Sequence, residues 1–163
     1  MHHPQPTRRK FLQAGLPAGA TFALADALFA AQQDDGQGLP TRPLGKTGAK
    51  VSILCLGGWH IGKAGQDSGE ASAIKLMHAA LDNGLTFFDN AWDYHDGYSE
   101  ELMGKAIQDR RDRVFLMTKN CERDYQGSLS NLEDSLLRLQ TDHVDLWQFH
   151  EMVYDNDPDW VFE

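Results

Sequence analysis

Four side chains able to move or hold a proton stand at or just beyond the ends of short apolar runs. Asp89 follows Thr86-Phe87-Phe88, Lys119 follows the run from Val114 to Thr118, and His150 follows the run from Val144 to Phe149. Tyr94 lies five positions beyond Asp89. A carboxylate, a phenol, an ammonium and an imidazole on one rim make an acid-catalysis set. A free phenol titrates at about 10 and is a reluctant donor near neutral pH. An ammonium beside it favours the phenolate left behind, which makes the proton easier to give. A carboxylate beside that ammonium keeps it charged and in place. The imidazole can donate a hydrogen bond to an oxygen that gains negative charge. This set makes an oxidoreductase the leading expectation.

Such a set converges only if the runs are parallel strands, because side chains at their C-terminal ends then share one face. The intervening sequence supplies the crossovers. Turn signals at Gly45 and Gly48 predict an N-terminal hairpin leading to a first strand over 53–56, which ends at Gly57-Gly58-Trp59. Ile74, Met77, His78 and Leu81 at helical spacing predict a helix over 70–83. A strand over 86–89 follows, then a helix over 99–107 with Ser99 as its N-cap. Next come a strand over 114–118 and a helix over 128–139 whose Leu129, Leu132, Leu136 and Leu139 are expected to pack on the sheet. A strand over 144–149 is last, with Asp157-Pro158-Asp159 opening a fourth helix.

Alternation of strand and helix predicts an α/β protein with a parallel sheet. No GxGxxG follows the first strand, which argues against a dinucleotide-binding open sheet. The polar residue at each strand exit favours a (β/α)8 TIM-barrel type. A full barrel takes about 250 residues, so about four βα units read as its first half, truncated.

Bulk composition narrows the partners. A hydrophobic content of 41% and a charged content of 24% over 163 residues describe a globular chain. The formal net charge of -9 makes nucleic acid and anionic membrane surfaces poor partners. Cys55 and Cys121 have no metal-ligand spacing and fall on non-adjacent strands, too far apart for a disulfide, so they read as structural thiols. Asp93-Tyr94-His95-Asp96 reads as a solvated acidic loop, and no metal site is expected.

The first residues differ from the rest. Thr7-Arg8-Arg9-Lys10-Phe11-Leu12 and the Ala- and Gly-rich run after it have the layout of a secretory signal, and the arginine pair resembles the twin-arginine type. Residues 1–31 are read as this signal, with Ala23-Leu24-Ala25 and Ala25-Asp26-Ala27 as alternative cleavage sites. Residues 32–40 are a linker and 41–163 the half-barrel. The twin-arginine machinery is then a partner and the periplasm the destination. No stable membrane anchor is expected, because Gly, Pro and Asp26 interrupt a run too short to span. Residues 1–31 carry +2, which leaves -11 for 32–163.

The segments around the four residues resemble the aldo-keto reductase family over nearly all of 40–163. Phe88-Asp89-Asn90-Ala91-Trp92-Asp93-Tyr94 is similar to its FDTA-x-x-Y segment, and Ser99 to Ala106 to its SE-x-x-LG-KA helix. Thr118-Lys119 matches its third-strand lysine, and Leu137 to His150 the approach to its active-site histidine. The resemblance implies Tyr94 as general acid, Asp89 and Lys119 as the pair that tunes it, and His150 as the group orienting the carbonyl. It further implies NADP(H) as cofactor, NAD(H) remaining open, with Gly57, Gly58, Trp59 and Asp89 at the nicotinamide end. The substrate would be a small-molecule aldehyde or ketone. Asn90 departs from the family's usual Thr or Ser. The family's adenosine-phosphate residues belong to the barrel's second half. Two readings stand beside this one: a cofactor-binding sensor of little turnover, and an inactive truncated fragment.

Overall fold

Gly45 and Gly48 take positive φ of 55° and 84°, the left-handed region open to glycine. They turn the chain between β1 (Thr41–Pro43) and β2 (Lys50–Ser52), an antiparallel pair with Arg42 opposite Val51. In the computed structural model the described residues are 38–154. The expected signal at 1–31, most of the linker and the helix expected at Asp157-Pro158-Asp159 lie outside them. Among the described residues no helix is long and apolar enough to cross a membrane.

The chain then runs through β3 (Cys55–Gly57), α1 (Gly58–Ser68), α2 (Glu70–Asp82), β4 (Phe87–Asp89) and α3 (Tyr98–Ile107). It continues through a single 3-10 turn at Arg111–Arg113, β5 (Phe115–Asn120), α4 (Tyr125–Leu139) and β6 (Leu146–Phe149). Strands β3, β4, β5 and β6 form one parallel sheet in that order. Sequential parallel neighbours joined by helices are what the alternation predicts. Ser52 ties the hairpin to this sheet, its Oγ accepting from the backbone N–H groups of Thr86 and Phe87, each at 3.1 Å.

Alternation within the strands decides which side chains meet the helices. Phe88 and Leu116 are fully buried with Ile61, Met77, Leu81, Leu102, Met103, Ile107 and Leu139 from the four helices. Each side chain of this size contributes about 1.5–3 kcal/mol on burial. The intervening positions face the other way; Phe87, Asp89, Phe115 and Lys119 are only half-buried, and Met117 between the last two is buried. Phe87 and Phe115 pack edge to face there, with ring centroids 5.3 Å apart. One face of the sheet makes the core, and the other carries the chemistry.

Four points differ from the sequence reading. The stretch from Gly58 to Ser68, where no element is expected, is helix α1. Its buried side is Gly58, Ile61, Gly62 and Gly65, so the usual apolar signal is missing. Those glycines allow close packing: a Cβ at Gly62 would lie 2.3 Å from His95, and one at Gly65 2.5 Å from Leu102. Ser99 is not the N-cap of α3. Gly97 is, at φ 88°, while Ser99 lies inside the helix and its Oγ donates to the Gly58 carbonyl at 2.6 Å.

The expected leucine stripe on α4 is its buried side only in part. Leu139 is fully buried and Leu132 and Leu136 are half-buried, but Leu129 is 40% exposed, and Ser128, Asn131 and Ser135 complete the buried side. Short polar side chains let α4 sit close to β5, and hydrogen bonds make burial of Ser128 and Asn131 tolerable. Asn120 Nδ2 donates to Ser128 Oγ at 2.7 Å, and the Cys121 N–H donates to Asn131 Oδ1 at 3.1 Å. The helix also begins earlier than expected, capped by Asp124, whose side chain accepts from the Gly127 N–H.

Candidate active site

Register places the four residues. Asp89, the last residue of β4, is opposite Met117 of β5, so Lys119 lies on the same face one rung further along. Lys119 is opposite Gln148 of β6, which puts His150 one rung beyond on that face. The Lys119 ammonium donates to Asp89 Oδ1, to the Asn90 carbonyl at 2.7 Å and to the Tyr94 hydroxyl at 3.4 Å. It also stands 4.9 Å from the centroid of the Tyr94 ring. The edge of one ring meets the face of the other between Tyr94 and His150, their centroids 5.4 Å apart. All four residues meet at the C-terminal end of the sheet.

Tyr94 is carried by the segment between β4 and α3, not by a strand, and its position depends on bracing. The Asn90 and Trp92 N–H groups donate to the Met117 and Lys119 carbonyls at 2.8 and 3.1 Å, extending the ladder past the end of β4. Arg138 of α4 donates to the Trp92 carbonyl at 2.9 Å and lies 5.0 Å above the Trp92 ring. Trp92 Nε1 donates to Asp134 Oδ2 at 3.2 Å. After Tyr94 the chain turns through three consecutive left-handed residues, His95, Asp96 and Gly97. That turn aims Tyr94 back at Lys119.

Glu100 lies behind Lys119, with no exposed surface, and its carboxylate accepts from Thr118 Oγ1 at 2.6 Å and from Arg138 Nη1 at 3.4 Å. Burial pushes its carboxyl above the usual glutamate range, opposed by the Thr118 bond and the Arg138 charge. Thr118 and Lys119 point to opposite faces of β5, so this bond fixes the strand from which Lys119 projects.

Gly57 closes β3 opposite Asp89, and Gly58 and Trp59 begin α1 at the same end. A Cβ at Gly58 would lie 2.5 Å from Asn90 Oδ1, so glycine there serves close packing against the Asn90 segment. Trp59 is 46% exposed, its carbonyl bonded to His95 Nε2 at 2.7 Å and its ring centroid 5.1 Å from that of His95. Cys55 lies two residues before Gly57 on the same face, and its thiol is pushed up to about 11. Partial desolvation is the larger cause and the Asp89 charge the second, with Lys119 opposing. It is a free thiol, as is Cys121.

Two residues with no assigned part in the sequence reading stand against His150. Asp93 Oδ1 is 3.2 Å from His150 Nδ1, and Cys121 Sγ is 3.8 Å from the same nitrogen. With Nδ1 so engaged, Nε2 is the nitrogen available to a substrate oxygen. The Cys121 thiol is also pushed up to about 11, by burial first and by Asp93 next. Register explains the grouping: Asn120 is opposite Phe149, so one step further sets Cys121 beside His150. His95 and Asp93, two residues apart in the acidic loop, part company, His95 turning to Trp59.

Comparison with known proteins bears on the family and the fold. The model of the Aldo/keto reductase family matches residues 53–163. The uncharacterized oxidoreductase YrpG of Bacillus subtilis (strain 168) is 41% identical over 130 residues, covering 67% of this chain and 39% of its own. An aldo-keto reductase from Klebsiella pneumoniae, solved in complex with NADP and acetate, is 35% identical with a TM-score of 0.59, over 63% of this chain and 36% of that one. The aldo-keto reductase AKR11C1 from Bacillus halodurans is 32% identical with a TM-score of 0.63, over 74% and 43%. The chain thus spans about two fifths of the length of these relatives. The sheet and its helices are about four βα units of a TIM-type barrel, and the chain belongs to the aldo/keto reductase family.

Proposed function

We propose that the protein reduces an aldehyde or ketone, with Tyr94 as the proton donor and a nicotinamide cofactor, NADPH in preference to NADH, as the reductant. The observation that carries this reading is the position of Lys119, whose ammonium touches both the Asp89 carboxylate and the Tyr94 hydroxyl. The donor set suits the reacting end of such a cofactor: a phenol, an ammonium and an imidazole converge beside Gly57 and Asp89, the positions proposed to line it together with Gly58 and Trp59. When bound, the cofactor supplies a hydride to the carbonyl carbon. His150 Nε2 orients the carbonyl oxygen, and Tyr94 gives that oxygen its proton. Lys119 balances the phenolate charge that remains, and Asp89 holds the Lys119 ammonium in place. A relative solved with NADP supports the choice of cofactor.

Replacing Tyr94 by Phe in the full-length protein removes the proton donor and keeps the ring. Turnover of an aldehyde should fall by about 10²–10⁴-fold, with cofactor affinity by fluorescence titration little changed. Unchanged turnover would remove Tyr94 from the role.

The twin-arginine reading of residues 1–31 leads us to propose export to the periplasm as well, with the cofactor loaded before export and released slowly. Changing Arg8 and Arg9 together to Lys should keep the protein in the cytoplasmic fraction of expressing cells. Equal periplasmic yield from parent and variant would rule this route out, and exported protein free of nucleotide would count against loading before export.

A further inference from the structure

Beyond the four residues of the proposed reaction, the described residues include one group of three mixed metal-ligand types: the Asp93 carboxylate, the Cys121 thiol and the His150 imidazole, whose ligand atoms lie within 4.8 Å of one another. We propose that these three side chains form a site for a thiophilic divalent cation of the zinc type, which when filled pins His150 through Nδ1. The part about His150 rests on the carbonyl-reductase reading above, whereas the binding itself does not.

The distances fit a single ion. Zinc binds thiolate sulfur at about 2.3 Å and nitrogen or oxygen at about 2.0–2.1 Å in a tetrahedron, so its ligand atoms sit about 3.6 Å (S to N) and about 3.3 Å (N to O) apart. Here Cys121 Sγ to His150 Nδ1 is 3.8 Å and His150 Nδ1 to Asp93 Oδ1 is 3.2 Å. Only small side-chain rotations separate these atoms from a closed site, and Asp93, 47% exposed, is free to make them. One thiolate, one imidazole and one carboxylate form a donor set that zinc accepts and that magnesium and calcium do not favour. Three protein ligands leave a fourth position open toward solvent.

The ligands are also held from behind, as ligands of a real site must be. The Cys121 N–H donates to Asn131 Oδ1 at 3.1 Å, and Arg123 donates to the Cys121 carbonyl at 3.1 Å and to the His150 carbonyl at 2.5 Å. The His150 N–H donates to the Asn120 carbonyl at 2.8 Å. Two positive groups stand nearby, and neither blocks the site. Lys119 is paired with Asp89, and the Arg123 guanidinium is turned to backbone carbonyls. An ion at Nδ1 would pin the imidazole where it stands beside Asp93 and Cys121. His150 could then no longer shift to follow a substrate oxygen beside Tyr94.

Cobalt(II) is the probe, because a thiolate ligand gives it an intense near-ultraviolet charge-transfer band that imidazole ligands such as His2 and His3 do not give. Titration of the purified full chain should develop this band to one equivalent, and excess zinc should abolish it. Cys121→Ser should lose the band, Cys55→Ser should keep it, and Asp93→Asn should weaken cobalt binding tenfold or more. Near-ultraviolet circular dichroism of each variant shows whether it is folded; if Cys121→Ser is not, Asp93→Asn decides. Absence of the band in the parent, or a band that survives Cys121→Ser and disappears in Cys55→Ser, would overturn the site. If the band behaves as expected and the full-length protein reduces an aldehyde, zinc should inhibit the reaction, and inhibition should be weaker in Asp93→Asn. A normal band with no carbonyl reduction at all would retain the metal site and reject the reductase reading.

Discussion

At Lys119 one ammonium meets a carboxylate, a backbone carbonyl and a phenol hydroxyl. The carboxylate and carbonyl fix where the charge sits, and the phenol is the partner that reacts. Cys55 reports on the same electrostatic neighbourhood from two residues before Gly57. Its thiol titrates at about 11, raised by partial desolvation and by Asp89. Alkylation needs the thiolate, so Cys55 should react slowly near neutral pH and about tenfold faster for each pH unit up to about 11. Mass spectrometry of the iodoacetamide-treated chain over a pH series measures this site by site. A plateau near the ordinary thiol range would show that Asp89 and the desolvated surroundings do not act on Cys55.

At the scale of elements, the segment from Asn90 to Gly97 has no regular structure of its own and borrows its shape from α4. Gly97 is the tightest point: φ is 88°, and a Cβ there would lie 2.5 Å from the Arg138 guanidinium carbon. Gly97→Ala should therefore cost about 1–2 kcal/mol through the left-handed backbone alone, and more through displacement of Arg138. Urea denaturation checks the stability. Turnover of the full-length variant should fall with it, because Arg138 also holds the Trp92 carbonyl two residues before Tyr94.

Legibility from sequence followed the same division. Strands β4, β5 and β6 announce themselves by short apolar runs with a polar residue at each exit, so Asp89, Lys119 and His150 could be placed by periodicity alone. Helix α1 could not, since glycines 58, 62 and 65 occupy its buried side and carry no apolar signal. Leu129 misled for the opposite reason. Helix α4 meets the end of β5 through hydrogen-bonded Ser128 and Asn131, a contact that hydrophobicity does not encode. The grouping of Asp93 and Cys121 with His150 required the register between β5 and β6, which sequence spacing does not supply.

At the scale of the whole molecule, Glu100 gives the fold a pH dependence. Its folded pKa is raised above the reference value of 4.5. Protonation of Glu100 therefore favours the folded state, and that contribution is fully present below about 4.5 and is lost as pH rises through the higher folded value. Glu100→Gln removes this titration. The stability of the parent relative to the variant should accordingly be greater at about pH 4 than at neutral pH. Melting temperatures of both proteins across that range test the sign, and a difference that grows with pH would refute it.

Arg138 joins parts of the molecule that the sequence keeps far apart. One guanidinium touches the Trp92 carbonyl, the Trp92 ring and the Glu100 carboxylate, and it sits one residue from the end of α4. The same last turn carries Leu139, fully buried in the core. The grip on Trp92, and with it the aim of Tyr94, therefore lasts only as long as that turn stays seated on the core.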